Sequence, residues 1–228
     1  MAETQILVVD DEKEICDLIE IYLRNEGYDV YKAGDGRQAL AILEQQPISL
    51  IVLDVMMPGM DGIAFCKEVR KTRDLPIIML SAKTQDMDKI FGLMTGADDY
   101  MTKPFNPLEL AARIKSQLRR YGGFEKAAGE EETVEYNGLC IRRKEHKATL
   151  YGKELSLTPT EFEILWLLAS GNGRVYSSEE IFEQIWGEKY FDSNNTVMVH
   201  IRHLREKLGD TSKNPVYIKT VWGVGYKI

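Results

Sequence analysis

The sequence predicts an α/β domain built on a doubly wound parallel sheet, followed by a smaller α+β domain. Strand-like and helical patterns alternate five times between Gln5 and Tyr121, and most of the strand-like segments are continuous apolar runs. Such runs are typical of strands that are buried on both faces. Strands that alternate with helices imply right-handed crossovers and a parallel sheet covered on both sides. With 228 residues, the chain is long enough for a second domain.

The first domain contains five strand–helix units. Its strands are predicted at Ile6–Val9, Asp29–Ala33, Leu50–Leu53, Ile77–Leu80 and Tyr100–Thr102. Its helices are predicted at about Glu12–Glu26, Arg37–Gln45, Asp61–Lys71, Gln85–Thr95 and Leu108–Arg120. Glycines, alanines and three consecutive glutamates then predict a solvated linker. The predicted boundaries are residues 1–121 for the first domain, 122–132 for the linker and 133–228 for the second domain.

The second domain begins with short strands and continues with three helices. The strands are predicted at Val134–Tyr136, Leu139–Ile141 and Ala148–Leu150. Thr158, Pro159 and Glu161 form the pattern of a capping box that starts a helix. Ser177 or Ser178, with Glu180, starts the next helix, and a third is predicted over Asn195–Leu208. The last strands, Tyr217–Val221 and Tyr226–Ile228, flank a glycine-containing turn, which indicates a hairpin.

Composition indicates a soluble protein of the reducing cytoplasm. No apolar stretch is long enough to cross a membrane, and three widely spaced cysteines without a CxxC motif predict free thiols. The net charge of −7 argues against binding to nucleic acid, but the distribution of the charge along the chain does not. Residues 189–228 carry seven Lys and Arg against three Asp and Glu. A basic segment on an acidic protein is the charge pattern expected of a phosphate-contacting surface.

Five polar residues in the first domain lie where strands end, at Asp10, Asp11, Asp54, Ser81 and Lys103. In an open parallel sheet, ligands bind beyond the carboxyl ends of the strands. The carboxylates, with the backbone carbonyl of Met56, are oxygen ligands of the kind that Mg²⁺ prefers. Asp54 is also a candidate nucleophile for a phosphoryl group, which Lys103 and the Ser81 hydroxyl would bind.

Each acid taken singly also fits a simpler role. Asp10 and Asp11 precede the first predicted helix and Asp35 precedes the second, so all three could be helix caps. The combination of an acid pair, an aspartate, a serine and a Lys-Pro at successive strand ends favours the phosphoryl site.

Residues 5–121 resemble the receiver domain of two-component response regulators. The matching phrases are VVDDE at 8–12, LDVMMPGMDG at 53–62, LSAK at 80–83 and GADDYMTKPF at 96–105. The resemblance implies that Asp54 accepts the phosphoryl group, that Asp10 and Asp11 help bind Mg²⁺, and that Lys103 contacts the phosphate. It also implies a Ser81–Tyr100 switch pair, a cis bond before Pro104, and the strand order 2-1-3-4-5. Such a receiver is not a conventional enzyme but promotes its own phosphorylation and dephosphorylation.

Residues 133–228 resemble the winged-helix effector domain of the OmpR/PhoB subfamily. The matching phrases are LSLTPTEFEIL at 155–165, TVMVHIRHLREKLGD at 196–210 and YIKTVWGVGYKI at 217–228. The last two segments are similar to those of vancomycin-resistance regulators, which implies glycopeptide-resistance genes as targets. A cationic helix after a helical pair suits the major groove, and a hairpin wing can reach the backbone or minor groove.

The candidate DNA contacts lie on the third helix and in the wing. They are Thr196, His200, Arg202, His203, Arg205, Lys207 and Trp222. Two positions depart from the subfamily, because Asn195 and Trp222 stand where many members have arginine. Trp222 could pack against sugars or could fill the base of the wing, and both alternatives stay open here. A solvated position on the helix is the alternative for both histidines.

The resemblance also implies partners. Six receiver residues stand where this subfamily pairs charges across a dimer, namely Lys89, Asp98, Asp99, Glu109, Arg113 and Arg120. The alternative for them is an ordinary polar surface with weak local ion pairs. The implied partners are a sensor histidine kinase, promoter DNA with tandem half-sites, RNA polymerase and a second copy of the chain after phosphorylation, without a membrane.

Two other functions compete with a phosphorylation-activated transcription regulator. A haloacid-dehalogenase-like phosphotransferase also uses an aspartate at a strand end with Mg²⁺, but it needs a second acid where this chain has Met56. A DNA-binding protein with a vestigial receiver would not need the complete set of acids, Ser81 and Lys103. Phosphoryl transfer from acetyl phosphate separates this second alternative from the first hypothesis.

Overall fold

The computed structural model describes residues 4–82, 95–122, 133–187, 196–210 and 214–228, and for residues 120–122 it describes the backbone only. The chain divides into two compact units, Met1–Leu118 and Arg119–Ile228. Among the described residues, no helix is long and apolar enough to span a membrane. Cys16 and Cys66 are buried and Cys140 is half-buried, all three as free thiols.

The first unit is the predicted α/β domain. Its strands are β1 (Gln5–Val9), β2 (Asp29–Ala33), β3 (Leu50–Asp54), β4 (Ile77–Ser81) and β5 (Asp99–Thr102). The described helices are α1 (Lys13–Asn25), α2 (Gly36–Gln45), α3 (Gly62–Val69) and α4 (Pro107–Gly122). All strand pairs are parallel, and the order β2-β1-β3-β4-β5 confirms the prediction. The predicted helix at Gln85–Thr95 lies, except for its last residue, outside the described residues.

The register of this sheet places the candidate site residues at one edge. Val9 pairs with Leu53, so Asp10 and Asp54 follow at the same level on neighbouring strands. Ser81 pairs with Thr102, and Lys103 comes next. The inner strands are buried up to this edge, since β3 and β4 are buried throughout and β1 is buried from Ile6 to Val9.

Gly62 allows helix α3 to begin directly against strand β3. A Cβ atom at Gly62 would lie 2.2 Å from the carbonyl oxygen of Asp54, a distance at which the backbone would have to move. The Asp61 carboxylate caps the helix by accepting a hydrogen bond from the backbone N–H of Ala64 at 2.7 Å. The glycine therefore holds the backbone that follows Asp54 close to the sheet.

The second unit contains a four-stranded antiparallel sheet, three described helices and a hairpin. The strands are β6 (Thr133–Tyr136), β7 (Leu139–Arg142), β8 (Lys147–Leu150) and β9 (Lys153–Glu154), in that order. The helices are α5 (Pro159–Ser170), α6 (Ser178–Trp186) and α7 (Thr196–Lys207), and the hairpin is β10 (Lys219–Val221) with β11 (Gly225–Lys227). The sequence did not predict β9, because its two exposed charged residues carry no apolar pattern.

Local signals predicted the helix starts in this unit better than the hairpin. Both capping boxes are present, from Thr158 and Glu161 on α5 and from Ser177 and Glu180 on α6. The hairpin begins two residues later than predicted, because the backbone N–H groups of Tyr217 and Ile218 donate to the Asp210 carboxylate at 3.1 and 2.9 Å. Tertiary hydrogen bonds thus replace strand pairing at these two positions.

Candidate functional site

Three carboxylates gather at the carboxyl edge of the parallel sheet. One oxygen from each of Asp10, Asp11 and Asp54 lies within 4.8 Å of the others. Asp10 and Asp54 are 2% exposed, whereas Asp11 is exposed. A hard divalent cation such as Mg²⁺ takes oxygen ligands and retains waters, so this donor set with one open side fits it. The structure thus brings together the three carboxylates that were predicted as metal ligands.

Lys103 lies between the two buried carboxylates. Its Nζ donates to Asp10 Oδ2 at 2.7 Å and to Asp54 Oδ1 at 2.9 Å. Burial disfavours the charged amine, but the hydrogen bonds to Asp10 and Asp54 outweigh it and raise the pKa of Lys103. Burial in turn raises the pKa of Asp10, an effect that Lys103 partly offsets. One ammonium group thus faces two carboxylates, and a cation at the same edge would balance the second negative charge.

The remaining residues of the predicted phosphoryl site surround this cluster. Asp54 Oδ2 accepts a hydrogen bond from the backbone N–H of Met56 at 2.8 Å, which fixes the orientation of the carboxylate. Ser81 is fully buried, Tyr100 is half-buried, and the bond between Lys103 and Pro104 is cis, as the resemblance implied. The switch role of Ser81 and Tyr100 and the metal contact of the Met56 carbonyl stay predictions.

The alternative that these acids are helix caps holds for some of them. Asp35 caps α2 by accepting from the backbone N–H groups of Arg37 and Gln38. Asp10 accepts from the backbone N–H of Glu12 at 3.0 Å with one oxygen and from Lys103 with the other. Asp10 therefore supports the start of α1 and belongs to the carboxylate cluster at once.

Two of the residues predicted for the dimer face, Asp98 and Asp99, are buried in the structure. Asp98 is fully buried, and its carboxylate binds Arg70 at 2.7 Å and accepts a hydrogen bond from the backbone N–H of Ile77 at 3.0 Å. In this conformation Asp98 is therefore not a surface residue. Asp99 is 3% exposed and pairs with Arg113 at 2.9 Å, and Arg113 also contacts Glu109 at 3.0 Å. Lys89 and the side chain of Arg120 lie outside the described residues.

Two of the predicted DNA contacts on α7 are buried. His200 is 1% exposed and lies 5.8 Å from Trp186, measured between ring centroids, and Thr196 is 8% exposed. Both side chains pack into the unit rather than face solvent. Neither side chain lies on the exposed face of α7 in this conformation, and their contact with DNA stays a prediction.

Three other predicted DNA contacts of α7, namely Arg205, Lys207 and His203, are engaged within the unit. The Arg205 guanidinium donates to the Ile218 carbonyl and to Thr220 Oγ1, each at 2.8 Å. Lys207 Nζ lies 2.6 Å from Glu161 Oε2, and His203 Nδ1 lies 3.6 Å from Glu161 Oε1. These side chains join α7 to the hairpin and to the start of α5. Helical periodicity could not reveal this, because the partners are distant in sequence.

Arg202 and Trp222 remain exposed. Arg202 forms an ion pair with Glu206 at 3.0 Å, and both side chains are about 60% exposed. Trp222 is 90% exposed at the hairpin turn, so it does not fill the base of the wing. Of the two alternatives for Trp222, a position at the base of the wing is therefore wrong, and packing against DNA sugars stays a prediction. Of the predicted DNA contacts, these two remain the most accessible.

The buried Glu161 predicts a pH-dependent stability of the second unit. Burial opposes ionisation, but His203, Lys207 and the backbone N–H of Thr158 outweigh it and lower the pKa of Glu161 from 4.5 to about 2. A depressed pKa stabilises the fold above the unfolded value, and this stabilisation is lost as pH falls from about 4.5 through 2. We expect the free energy of unfolding of this unit to fall by up to about 3 kcal/mol over this pH range, and tryptophan fluorescence would measure the change.

All three tryptophans lie in this unit, so the fluorescence reports its unfolding. Glu161→Gln should remove most of the dependence, and the matched control Glu179→Gln, at an exposed position of α6, should leave it intact. An unchanged acid dependence in Glu161→Gln would contradict the assignment.

Comparisons with known proteins find relatives of both units. Residues 6–115 match the family model of the response regulator receiver domain, and residues 152–228 match that of the C-terminal domain of transcriptional regulatory proteins. The chain is 54% identical to Regulatory protein VanR of Enterococcus faecium and 53% identical to Regulatory protein VanRc of Enterococcus gallinarum. Each alignment covers 98% of this chain and 98% of the relative.

Solved structures are similar over nearly the whole chain. A mutant of RitR is 28% identical, with a TM-score of 0.77 over 99% of this chain and 98% of that one. DrrB of Thermotoga maritima, described as an OmpR/PhoB homolog, is 32% identical, with a TM-score of 0.52 over 99% of both chains.

Proposed function

Since the chain belongs to the OmpR/PhoB-type response regulators and is a two-component transcription regulator, we propose that Asp54 is its phosphoacceptor. A sensor histidine kinase would supply the phosphoryl group from a phosphohistidine. The Asp54 carboxylate forms the new O–P bond as the N–P bond breaks, and the imidazole leaves with the electron pair. The observation that carries this proposal is the position of Lys103 Nζ, 2.7 Å from Asp10 and 2.9 Å from Asp54.

The other site residues serve positioning and charge neutralisation. Asp10, Asp11 and Asp54, with the Met56 carbonyl, would hold Mg²⁺, which supplies positive charge opposite the phosphoryl oxygens. Lys103 exchanges part of its contact with Asp54 for a phosphoryl oxygen, and the Ser81 hydroxyl binds another. When Ser81 moves to bind the phosphoryl oxygen, Tyr100 also changes its position. Tyr100 lies on β5, two residues before Thr102, which pairs with Ser81, so its movement changes the surface around β5.

The second unit binds promoter DNA through α7 and the β10–β11 hairpin. The partners that follow from this role are tandem half-sites and RNA polymerase, with the protein working in the cytoplasm. Glycopeptide-resistance genes are the proposed targets, because the chain is 54% identical to Regulatory protein VanR.

Recovery of bound fragments of the source genome tests this function. The full-length protein is incubated with the fragments, Mg²⁺ and beryllofluoride, a mimic of the phosphoryl group, and in parallel without the mimic. We expect enrichment of promoter fragments that contain two half-sites about one helical turn apart, with the mimic strengthening their recovery. Equal recovery in both conditions contradicts activation by phosphorylation, and no enrichment contradicts specific DNA binding.

Activation is expected to produce a receiver dimer through the charges around β5 and α4. Asp99, Glu109 and Arg113 form ion pairs within one chain, and in the dimer they exchange partners with the second copy. Lys89 and Arg120 belong to the same proposal. The fully buried Asp98 is omitted from it, whereas the buried Asp99 is retained because it pairs with Arg113 at 2.9 Å. Analytical ultracentrifugation should show a monomer without beryllofluoride and a dimer with it.

The Arg113→Asp variant should stay monomeric with beryllofluoride, because it places a third acid beside Asp99 and Glu109. The matched control is Lys115→Asp, which makes the same charge change at a side chain 72% exposed on the same helix, and it should dimerise normally. Dimerisation of both variants would exclude this interface.

A further inference from the structure

The exposed face of α7 carries less free positive charge than its sequence predicts. Among the described side chains of this helix, those of Met198, Arg202, Glu206 and Lys207 are exposed. Met198, Arg202 and Glu206 are spaced by four residues, so they form one stripe along the helix. Arg202 is the single cation of this stripe, and it already pairs with Glu206. The remaining member is a methionine that is 55% exposed.

The other cations of the helix point away from this stripe or are held by partners. Arg205 is hydrogen-bonded to Ile218 and Thr220, and Lys207 is paired with Glu161 at 2.6 Å. His203 also faces Glu161, with a side chain that is 13% exposed. Fixing these three side chains within the unit leaves Met198 as the exposed side chain nearest the start of the described helix.

The position of Met198 indicates what it would contact. The N-terminal residues of a recognition helix lie against base edges in the major groove, and Met198 is the third residue of α7. The C5-methyl group of thymine is the apolar feature that this groove presents. The methionine side chain is apolar, unbranched and adaptable, and it has no strong hydrogen-bonding group with which to read a donor or an acceptor.

We propose that Met198 is a specificity-determining residue that reads a thymine methyl group in each half-site. This inference rests on the proposed function, since it assigns a base preference to the same DNA-binding helix. Arg202 then contacts the neighbouring backbone, and Glu206 limits how much phosphate charge this stripe neutralises. Discrimination at the Met198 position comes from apolar contact and is therefore insensitive to salt.

The test measures the effect of single methyl groups on affinity. A duplex is selected from a pool of random sequence with the full-length protein, Mg²⁺ and beryllofluoride, and each thymine is then replaced singly by deoxyuridine. For the wild-type protein, one position per half-site should lose about fourfold in affinity, the value of one buried methyl group. In Met198→Ala the loss at that position should disappear, whereas Met198→Leu should retain most of it.

Val224→Ala is the matched control, because Val224 is an apolar wing residue 56% exposed, and this variant should keep the methyl preference. Methyl sensitivity that persists in Met198→Ala overturns the inference, and so does a selected duplex without any sensitive position. If Met198→Ala weakens binding equally to thymine and deoxyuridine duplexes, the side chain contacts something other than the methyl group, which also overturns it. A pool that yields no bound duplex contradicts DNA binding itself, and with it the inference.

Discussion

Replacement of Asp54 by asparagine is expected to abolish Mg²⁺-dependent phosphorylation of this chain. An amide is not a nucleophile for phosphorus under conditions in which a carboxylate is, so labelling by acetyl phosphate should fall to background. The fold should persist, since asparagine has nearly the same volume and Lys103 keeps its 2.7 Å contact with Asp10. Mass spectrometry after borohydride trapping locates the modified aspartate, and chelation of Mg²⁺ should remove the label from the wild-type protein.

Asp35→Asn is the matched control for this experiment. Asp35 is also an aspartate before a helix, but it caps α2 and belongs to no carboxylate cluster in the described residues. We expect this variant to be labelled as fast as the wild type. Full labelling of Asp54→Asn would reject Asp54 as the acceptor. An unlabelled wild-type protein would instead favour the alternative in which the receiver is vestigial.

The grouping of the candidate phosphoryl-site residues could be predicted because only a few physical rules are needed to derive it from the sequence. Asp10, Asp54, Ser81 and Lys103 each end or follow an apolar run, and parallel pairing brings the ends of such runs to one edge. Once the strand order is known, their proximity needs no further tertiary information. Capping boxes such as that of Thr158 and Glu161 were predictable for the same reason, since both partners lie within one helical turn.

The exposed face of α7 could not be predicted in the same way. Helical periodicity separates apolar from polar positions, but it does not reveal which polar residue is covered by another element. His200 is buried near Trp186, and Arg205 is held by the β10 strand and the residue before it. Asp98 is a comparable case in the first unit, because its partner Arg70 lies 28 positions away. Contacts at such separations are set by packing, which a single sequence does not encode as a local pattern.

The arginines of α7 should respond differently to substitution. Arg205→Ala is expected to weaken binding of a selected duplex about tenfold or more, because the guanidinium no longer joins α7 to Ile218 and Thr220 and the wing loses its orientation. Arg202→Ala should weaken binding through the loss of a phosphate contact. Removing one phosphate contact reduces the slope of log affinity against log salt by about one unit. The two effects separate in a salt series measured by fluorescence anisotropy.

For Arg205→Ala the salt slope should equal that of the wild-type protein, since the residue acts through the wing rather than on phosphate. Arg205→Lys should not restore affinity, because one ammonium group cannot reproduce contacts that the guanidinium makes with two nitrogens. If the slope of log affinity against log salt is flattened by about one unit in Arg205→Ala, Arg205 contacts phosphate, as the sequence predicted. If neither arginine matters, α7 is not the recognition helix, and the exposed Trp222 in the wing becomes the next residue to substitute.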